Sequence, residues 1–290
     1  ASFLGAGATA DALTIAIRVP SMFRRLFAEG AFNASFVPSF AGLLATKGKE
    51  EARTFAEHIL TLWAGVLFLL MLGIELFLPF LIALAVPGFQ STPGRLYYVI
   101  EFSRITFPFV FFISLTALYS GILNSMGKFA VVASSPMIGN MVIIAVVLSL
   151  YDKFTSPGYA FAWGIMACGI SQWLWVWIPS LKGGMGLRFR WPRFDANVKN
   201  FFKILAPAAF GSGVVQINLL VGTFIASWLP TGAISYLNYA DRLNQLPLSV
   251  IGVAVSTALL PILSRQVRTE DWNKAQSTQS QAIEFSMFLT

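Results

Sequence analysis

The chain has 290 residues, of which 56% are hydrophobic and only 11% charged, and its mean hydropathy is +0.70. This composition excludes an ordinary water-soluble domain, whose helices would need charged outer faces, and makes lipid the solvent. The formal charge of +7 does not point to nucleic acid, because the basic residues fall in short loops between apolar runs, where they act as topology signals.

Spanning segments are predicted at 9–44, 54–86, 95–125, 129–150, 158–181, 199–229 and 232–265. Together they describe an all-α, polytopic transmembrane helix bundle. Several exceed the roughly 20 residues that a bilayer requires, which implies tilt or interior breaks. Pro20, Pro38, Pro108, Pro136, Pro207 and Pro247 are the candidate breaks. The separators carry turn chemistry: Val86-Pro87-Gly88, Ser156-Pro157-Gly158 and Leu229-Pro230-Thr231-Gly232. With strict alternation, one side of the membrane collects Lys47, Lys49, Arg53, Lys128, Lys182, Arg188, Arg190, Arg193, Lys199, Arg265, Arg268 and Lys274. The other side receives only Arg95 and Lys153. The loop around Lys47 is therefore cytoplasmic.

The first segment carries unusual charge. Asp11, Arg18, Arg25 and Glu29 are spaced by seven, seven and four residues, which on a helix forms one stripe roughly 27 Å long. Arg24 stands beside it. Each such charge is costly in hydrocarbon unless a partner or water relieves it. Arg25 and Glu29 suit an i, i+4 pair, and a self-neutralised pair with snorkelling arginines is the structural alternative. Three arginines against two acids leave a positive surplus, and Arg grips phosphate oxygens two at a time.

Further along, Glu101 and Arg104 can neutralise each other, and Glu75 lies toward the outer end of its segment. His58 beside Glu57 is read as an incidental, exposed histidine at a cytoplasmic helix start. Cys168, the single cysteine, lies inside an apolar run and is read as a small packing residue. One histidine and one buried cysteine offer no acid, base and nucleophile set, so enzymatic chemistry is not supported. In the seventh segment, Ser235, Asn238, Arg242, Gln245, Ser249, Gly252 and Ser256 form a polar stripe, which must meet another helix or water. Asp241 and Arg242 are sequence neighbours that point about 100° apart on a helix, so each is expected to find its partner on another helix. Arg242 and the Arg24/Arg25 pair are then expected to face one cavity from two lobes.

Ala31, Asn33, Ala34 and Pro38 match Ala254, Ser256, Thr257 and Pro261 at a constant offset of 223, a weak sign of parallel repeats with a substrate path between them. Residue 1 is not Met, and Ala282 to Thr290 opens an apolar run that stops unfinished, so a fragment of a longer protein is expected.

Gly5-Ala-Gly-Ala-Thr-Ala-Asp11, Pro20-Ser-Met-Phe-Arg-Arg-Leu-Phe-Ala-Glu-Gly-Ala-Phe32 and Phe36-Val-Pro38 resemble the MurJ (MviN) lipid II flippase family. Thr106-Phe-Pro108, Gly121-Ile-Leu-Asn124, Tyr239-Ala-Asp-Arg-Leu243 and Leu259-Leu-Pro261 follow in the family's order. The resemblance implies a multidrug/oligosaccharidyl-lipid/polysaccharide exporter fold, two six-helix lobes around a cationic cavity, with further C-terminal helices cradling the lipid tail. Residues 1–181 would be the N-terminal lobe without its first helix, 182–198 a cytoplasmic linker between lobes, and 199–290 the start of the C-terminal lobe.

By the same resemblance Arg24, Arg25 and Arg242, with Arg18 on the same helix as the first two, would bind substrate. Asp11, Glu29, Asp241, Ser235 and Asn238 would be gating or cavity residues. Some family members carry an acid near position 245; Gln245 is neutral, so a gate salt bridge there is not expected. The implied activity is translocation of lipid II, an undecaprenyl-pyrophosphate-linked precursor, across the bacterial inner membrane by alternating access. No cofactor, metal or nucleic acid is implied, and a monomer with contacts to wall-synthesis proteins is. Two alternatives are a related exporter of polysaccharide-lipid or drug substrates, and a membrane scaffold of wall synthesis that does not transport. An intramembrane lipid phosphatase or transferase lacks the acid–base set it would need.

Overall fold

The computed structural model describes residues 5–27, 30–91, 93–191, 193–245 and 272–289, with single positions at 259, 263 and 266. Its helices are α1 (Ala8–Phe27), α2 (Gly30–Thr46), α3 (Lys49–Ala85), α4 (Pro93–Thr106) and α5 (Phe109–Ser125). They continue with α6 (Phe129–Leu150), α7 (Pro157–Lys182), α8 (Ala196–Ala226), α9 (233–245) and α10 (Trp272–Leu289). Among the described residues there is no strand. The chain divides into two compact units, residues 1–234 and 235–290.

Five helical stretches are long and apolar enough to cross a bilayer: Lys49–Ala85, Gly94–Ser125, Phe129–Lys153, Pro157–Lys182 and Ala196–Ala226. They match five of the predicted segments. The first predicted segment is described as two helices, α1 and α2, on either side of residues 28–29. The last is described only to residue 245, so Pro247, Ser249, Gly252, Ser256 and the matched residues 254, 257 and 261 lie outside the described residues.

Of the predicted proline breaks, Pro108 does separate two helices, α4 and α5. Pro20, Pro38, Pro136 and Pro207 do not, and each lies inside a continuous helix. A transmembrane helix tolerates proline when a neighbour satisfies the carbonyl that proline deprives of its donor. The orphan left by Pro20 is the carbonyl of Ala16, four residues earlier. The Thr106 hydroxyl of α4 donates to that oxygen at 2.8 Å, so the end of α4 repairs the gap in α1.

The first unit has a core rich in aromatic rings. Phe32, Phe36 and Phe40 of α2 lie along one face and are fully buried. Phe36 stacks on Phe40 and on Phe55 of α3, at 5.5 and 5.9 Å between centroids. Phe201 of α8 meets the edges of Phe32, Phe36 and Phe55. This cluster fixes α2, α3 and α8 around one point.

Without a strong hydrophobic drive between helices in lipid, close approach depends on small residues. A Cβ at Gly121 of α5 would lie 2.8 Å from the Phe36 ring. A Cβ at Gly139 of α6 would meet Gln172 and Cys168 of α7. The outward faces are apolar instead: Leu69, Leu72, Leu76, Phe80 and Leu84 of α3 and Met137, Met141, Ile144 and Leu148 of α6 are exposed, as a lipid-facing surface requires.

Two outcomes are expected in the complete gene product purified in detergent. Gly121→Val displaces Phe36 from its stack and costs about 1–3 kcal/mol, read as a lowered melting temperature. Thr106→Val strands the Ala16 carbonyl and costs about 1–3 kcal/mol, whereas Thr106→Ser keeps the hydroxyl and stays near the parent.

Candidate functional site

Helix α1 carries the charges, and the structure sends them to different neighbours. Asp11, in its first turn, is fully buried. A carboxylate in that position needs donors, and two of them meet at one oxygen. The Arg95 guanidinium of α4 donates to Oδ2 at 2.9 Å, and the backbone N–H of Gly232 donates to the same oxygen at 2.7 Å. Arg95 is itself only 3% exposed and lies 3.8 Å from the centroid of the Phe89 ring, which adds a cation–π contact. Arg95 therefore corrects the reading that made it a loop charge. It is the counter-ion of Asp11, and the pair joins α1, α4 and the turn after α8.

A second contact of the same turn acts beside it. The N–H of Gly88 donates to Ser227 Oγ at 3.2 Å, and a Cβ at Gly88 would collide with the Ser227 carbonyl. Both contacts lie on the side of the membrane assigned to Arg95 and Lys153, opposite the basic loops.

Seven residues on, Arg18 donates from Nη1 to Thr223 Oγ1 of α8 at 3.1 Å. Arg24 is half-buried with its Nε enclosed. Arg25 is exposed. Glu29 lies outside the described residues, and with it the expected Arg25–Glu29 pair. The stripe read from spacing thus resolves into a buried ion pair at one end, a helix-to-helix hydrogen bond in the middle and two adjacent arginines in the last turn.

In the second unit, α9 presents Asp241 and Arg242, both exposed. Each was expected to find a partner on another helix, yet both have one on their own. Arg242 Nε donates to Asn238 Oδ1 at 3.1 Å, and Gln245 Nε2 donates to Asp241 Oδ2 at 2.9 Å. Both are i, i+4 contacts that need no second helix. Ser235 is fully buried.

Glu57 and His58 are not incidental. Both are buried rather than exposed. Glu57 Oε1 accepts from Arg53 Nε and from the N–H of Arg188, each at 3.2 Å, and Oε2 pairs with Arg190 Nε at 2.9 Å. His58 Nδ1 lies 4.0 Å from Asp195, which caps α8 by accepting from the N–H of Val198. Arg53 lies one helical turn from Glu57, but the adjacency of Glu57 and His58 hid the rest, because Arg188, Arg190 and Asp195 lie more than a hundred residues away. Glu101 and Arg104 do approach, at 3.9 Å, on a half-exposed surface. Cys168 is buried and accepts from Gln172 Nε2 at 3.1 Å. Among the described residues no group of three or more His, Cys, Asp or Glu side chains is placed to hold a metal ion.

Apolar spans around a helix with buried and half-buried charge define a multi-pass membrane protein. Comparison with known proteins agrees. The family model described as "Lipid II flippase MurJ" matches residues 1–290. A probable lipid II flippase MurJ of Rhizobium meliloti is 42% identical over the whole chain and 55% of its own length. One from Haemophilus influenzae is 36% identical over 96% of the chain and 56% of its length. A solved structure of lipid II flippase MurJ in an inward closed conformation superposes with a TM-score of 0.77 at 27% identity, covering 98% of this chain and 57% of that one. An inward-facing multidrug transporter of the MATE family shares the fold, with a TM-score of 0.71 at 15% identity over 98% of the chain and 64% of its own. The chain belongs to the lipid II flippase MurJ family. It spans about half the length of the relatives it matches.

Arg95→Ala is expected to leave Asp11 buried without its cation and to cost about 3–5 kcal/mol, measured as thermal stability of the complete gene product in detergent. The double variant Asp11→Asn/Arg95→Met removes both charges and is expected to recover more than half of that loss.

Proposed function

We propose that this chain forms the substrate-binding first part of a flippase that moves lipid II, an undecaprenyl-pyrophosphate-linked cell-wall precursor, from the cytoplasmic to the periplasmic leaflet of the inner membrane. Family membership supports the activity, as do the names of the relatives. The observation that carries the residue assignment is the charge balance of α1. Helix α1 carries three arginines, Arg18, Arg24 and Arg25, against one acid, Asp11, and that acid is engaged by Arg95 of α4. Excess cation in a membrane interior favours an anionic ligand, and a diphosphate offers oxygens that guanidinium groups grip in pairs.

In this reading Arg24 and Arg25, at the end of α1, bind the diphosphate, and Arg18 lies one step deeper. Arg242, held by Asn238 on α9, is the arginine contributed by the second half. Residues 1–181 act as the first lobe, 182–198 as the linker and 199–290 as the start of the second lobe. Transport proceeds by alternating access: the lobes rock and the precursor passes through a hydrated cavity. No bond is made or broken. Water-exposed arginines suit this task because the headgroup must be released as well as bound.

Asp11 and Arg95 have a distinct part in this scheme. In this scheme the pair and the Gly232 N–H it engages belong to the outer side, where Asp11 acts as a gating residue. Glu29 and Asp241 modulate the neighbouring arginines, and Ser235 lies at the start of the helix that bears Arg242.

Complementation tests the assignment. A cell depleted of its own lipid II flippase and supplied with the complete gene product is expected to grow, whereas Arg24→Ala, Arg25→Ala and Arg242→Ala variants fail at normal membrane levels. Equal rescue by the alanine variants would make these arginines structural and remove the diphosphate assignment.

A further inference from the structure

Between α7 and α8 runs a segment whose construction is not explained by transport. Residues 183–191 and 193–195 carry no helix, yet the segment is fastened to α3 and to the end of α7 at several points. Lys49 Nζ donates to the Gly183 carbonyl at 2.9 Å, and Ser180 Oγ donates to the Met185 carbonyl, with Met185 fully buried. Beyond them the N–H groups of Arg188 and Arg190, two residues apart, donate to Glu57 Oε1 and Thr61 Oγ1 at 3.2 and 3.1 Å.

That fastening sets what the segment shows to its surroundings. Arg190 turns back to Glu57, while its neighbours Phe189 and Trp191 stand out into the surroundings. They are 72% and 89% exposed, and Phe194 is 60% exposed. Three large aromatic rings on a pinned loop are not an accident of a floppy surface, since the buried Glu57 carboxylate is committed to holding the loop in place.

The chemistry around the rings is one-sided. Lys182, Arg188, Arg193, Lys199 and Lys203 are all exposed, and the one acid from 182 to 203, Asp195, is engaged in capping α8. The segment also has a fixed level, because it joins the ends of two helices that are both long and apolar enough to span. It therefore runs along one membrane face, the one to which the basic loops assign the cytoplasm. Aromatic rings with interleaved arginines at headgroup level match an anionic leaflet, in which rings sit among the headgroups and basic residues meet the phosphates.

We propose that residues 187–191 and 193–194 form a membrane anchor in which Phe189, Trp191 and Phe194 enter the headgroup layer of the cytoplasmic leaflet while Arg188 and Arg193 bind phosphates of anionic phospholipids. Glu57 and Thr61 are the residues that position it. The anchor stands independently of the transport reading, because it uses none of the arginines of α1 or α9.

Trypsin reports it directly, since Arg188, Arg190 and Arg193 are its own cleavage sites. The complete gene product is placed in nanodiscs of phosphatidylcholine alone, or of equal parts phosphatidylcholine and phosphatidylglycerol, with cleavage after Lys153 on the opposite face as the internal control. Cleavage in the segment is expected to be roughly tenfold slower in the anionic discs, with the protection lost at high salt and the control unchanged. The variant Phe189→Ser/Trp191→Ser/Phe194→Ser is expected to be cut rapidly in both. Equal cleavage of the parent in the two lipids would overturn the anchor and leave a loop held by protein alone. Full protection of the serine variant would do the same for the role of the aromatic rings.

Discussion

A carboxylate sealed away from water must be met by donors, and the packing of α1 follows from how that demand is satisfied at Asp11. Its partners come from two places remote in sequence, the guanidinium of Arg95 and the N–H of Gly232. They converge on one oxygen, which receives a charge-assisted bond and a backbone bond together. Once they are in place α1 cannot rotate without exposing a charge to hydrocarbon, and its remaining polar residues acquire fixed directions. Arg18 reaches α8 through Thr223, while Arg24 and Arg25 fall in the last turn.

The backbone obeys the same rule. Pro20 removes a donor from α1, and Thr106 supplies one from α4. The helix therefore runs on through a residue that in water would be read as a stop. The carboxylate and the proline are solved by the same neighbour, since Arg95 and Thr106 mark the two ends of α4. The glycines then set how closely the helices approach, with Gly121 admitting the Phe36 ring and Gly139 admitting Gln172 and Cys168. Directional bonds fix orientation and small residues fix separation, a division of labour suited to a medium that offers little hydrophobic drive between helices.

At the opposite face Glu57 does for the segment between α7 and α8 what Asp11 does for α1. It is buried, it gathers donors from Arg53, Arg188 and Arg190, and through them it orders a stretch of chain that has no helix of its own. The two carboxylates hold opposite ends of the first unit. Each ties a local element to one far away in sequence.

The sequence by itself determined the solvent, the helical class, five spans, the side on which basic loops collect, and the family, since all of these depend on composition, on period along one segment or on short contiguous motifs. It also located the excess of arginine on α1 and the Asp241/Arg242 neighbours on α9. Tertiary structure decided the pairings: that Arg95 is a buried counter-ion rather than a loop charge, that Thr106 repairs Pro20, and that Glu57 and His58 are interior. A charge in a sequence states only that a partner is required. Which partner meets it is chosen by packing, which brings together residues such as 11, 95 and 232 that no local pattern connects.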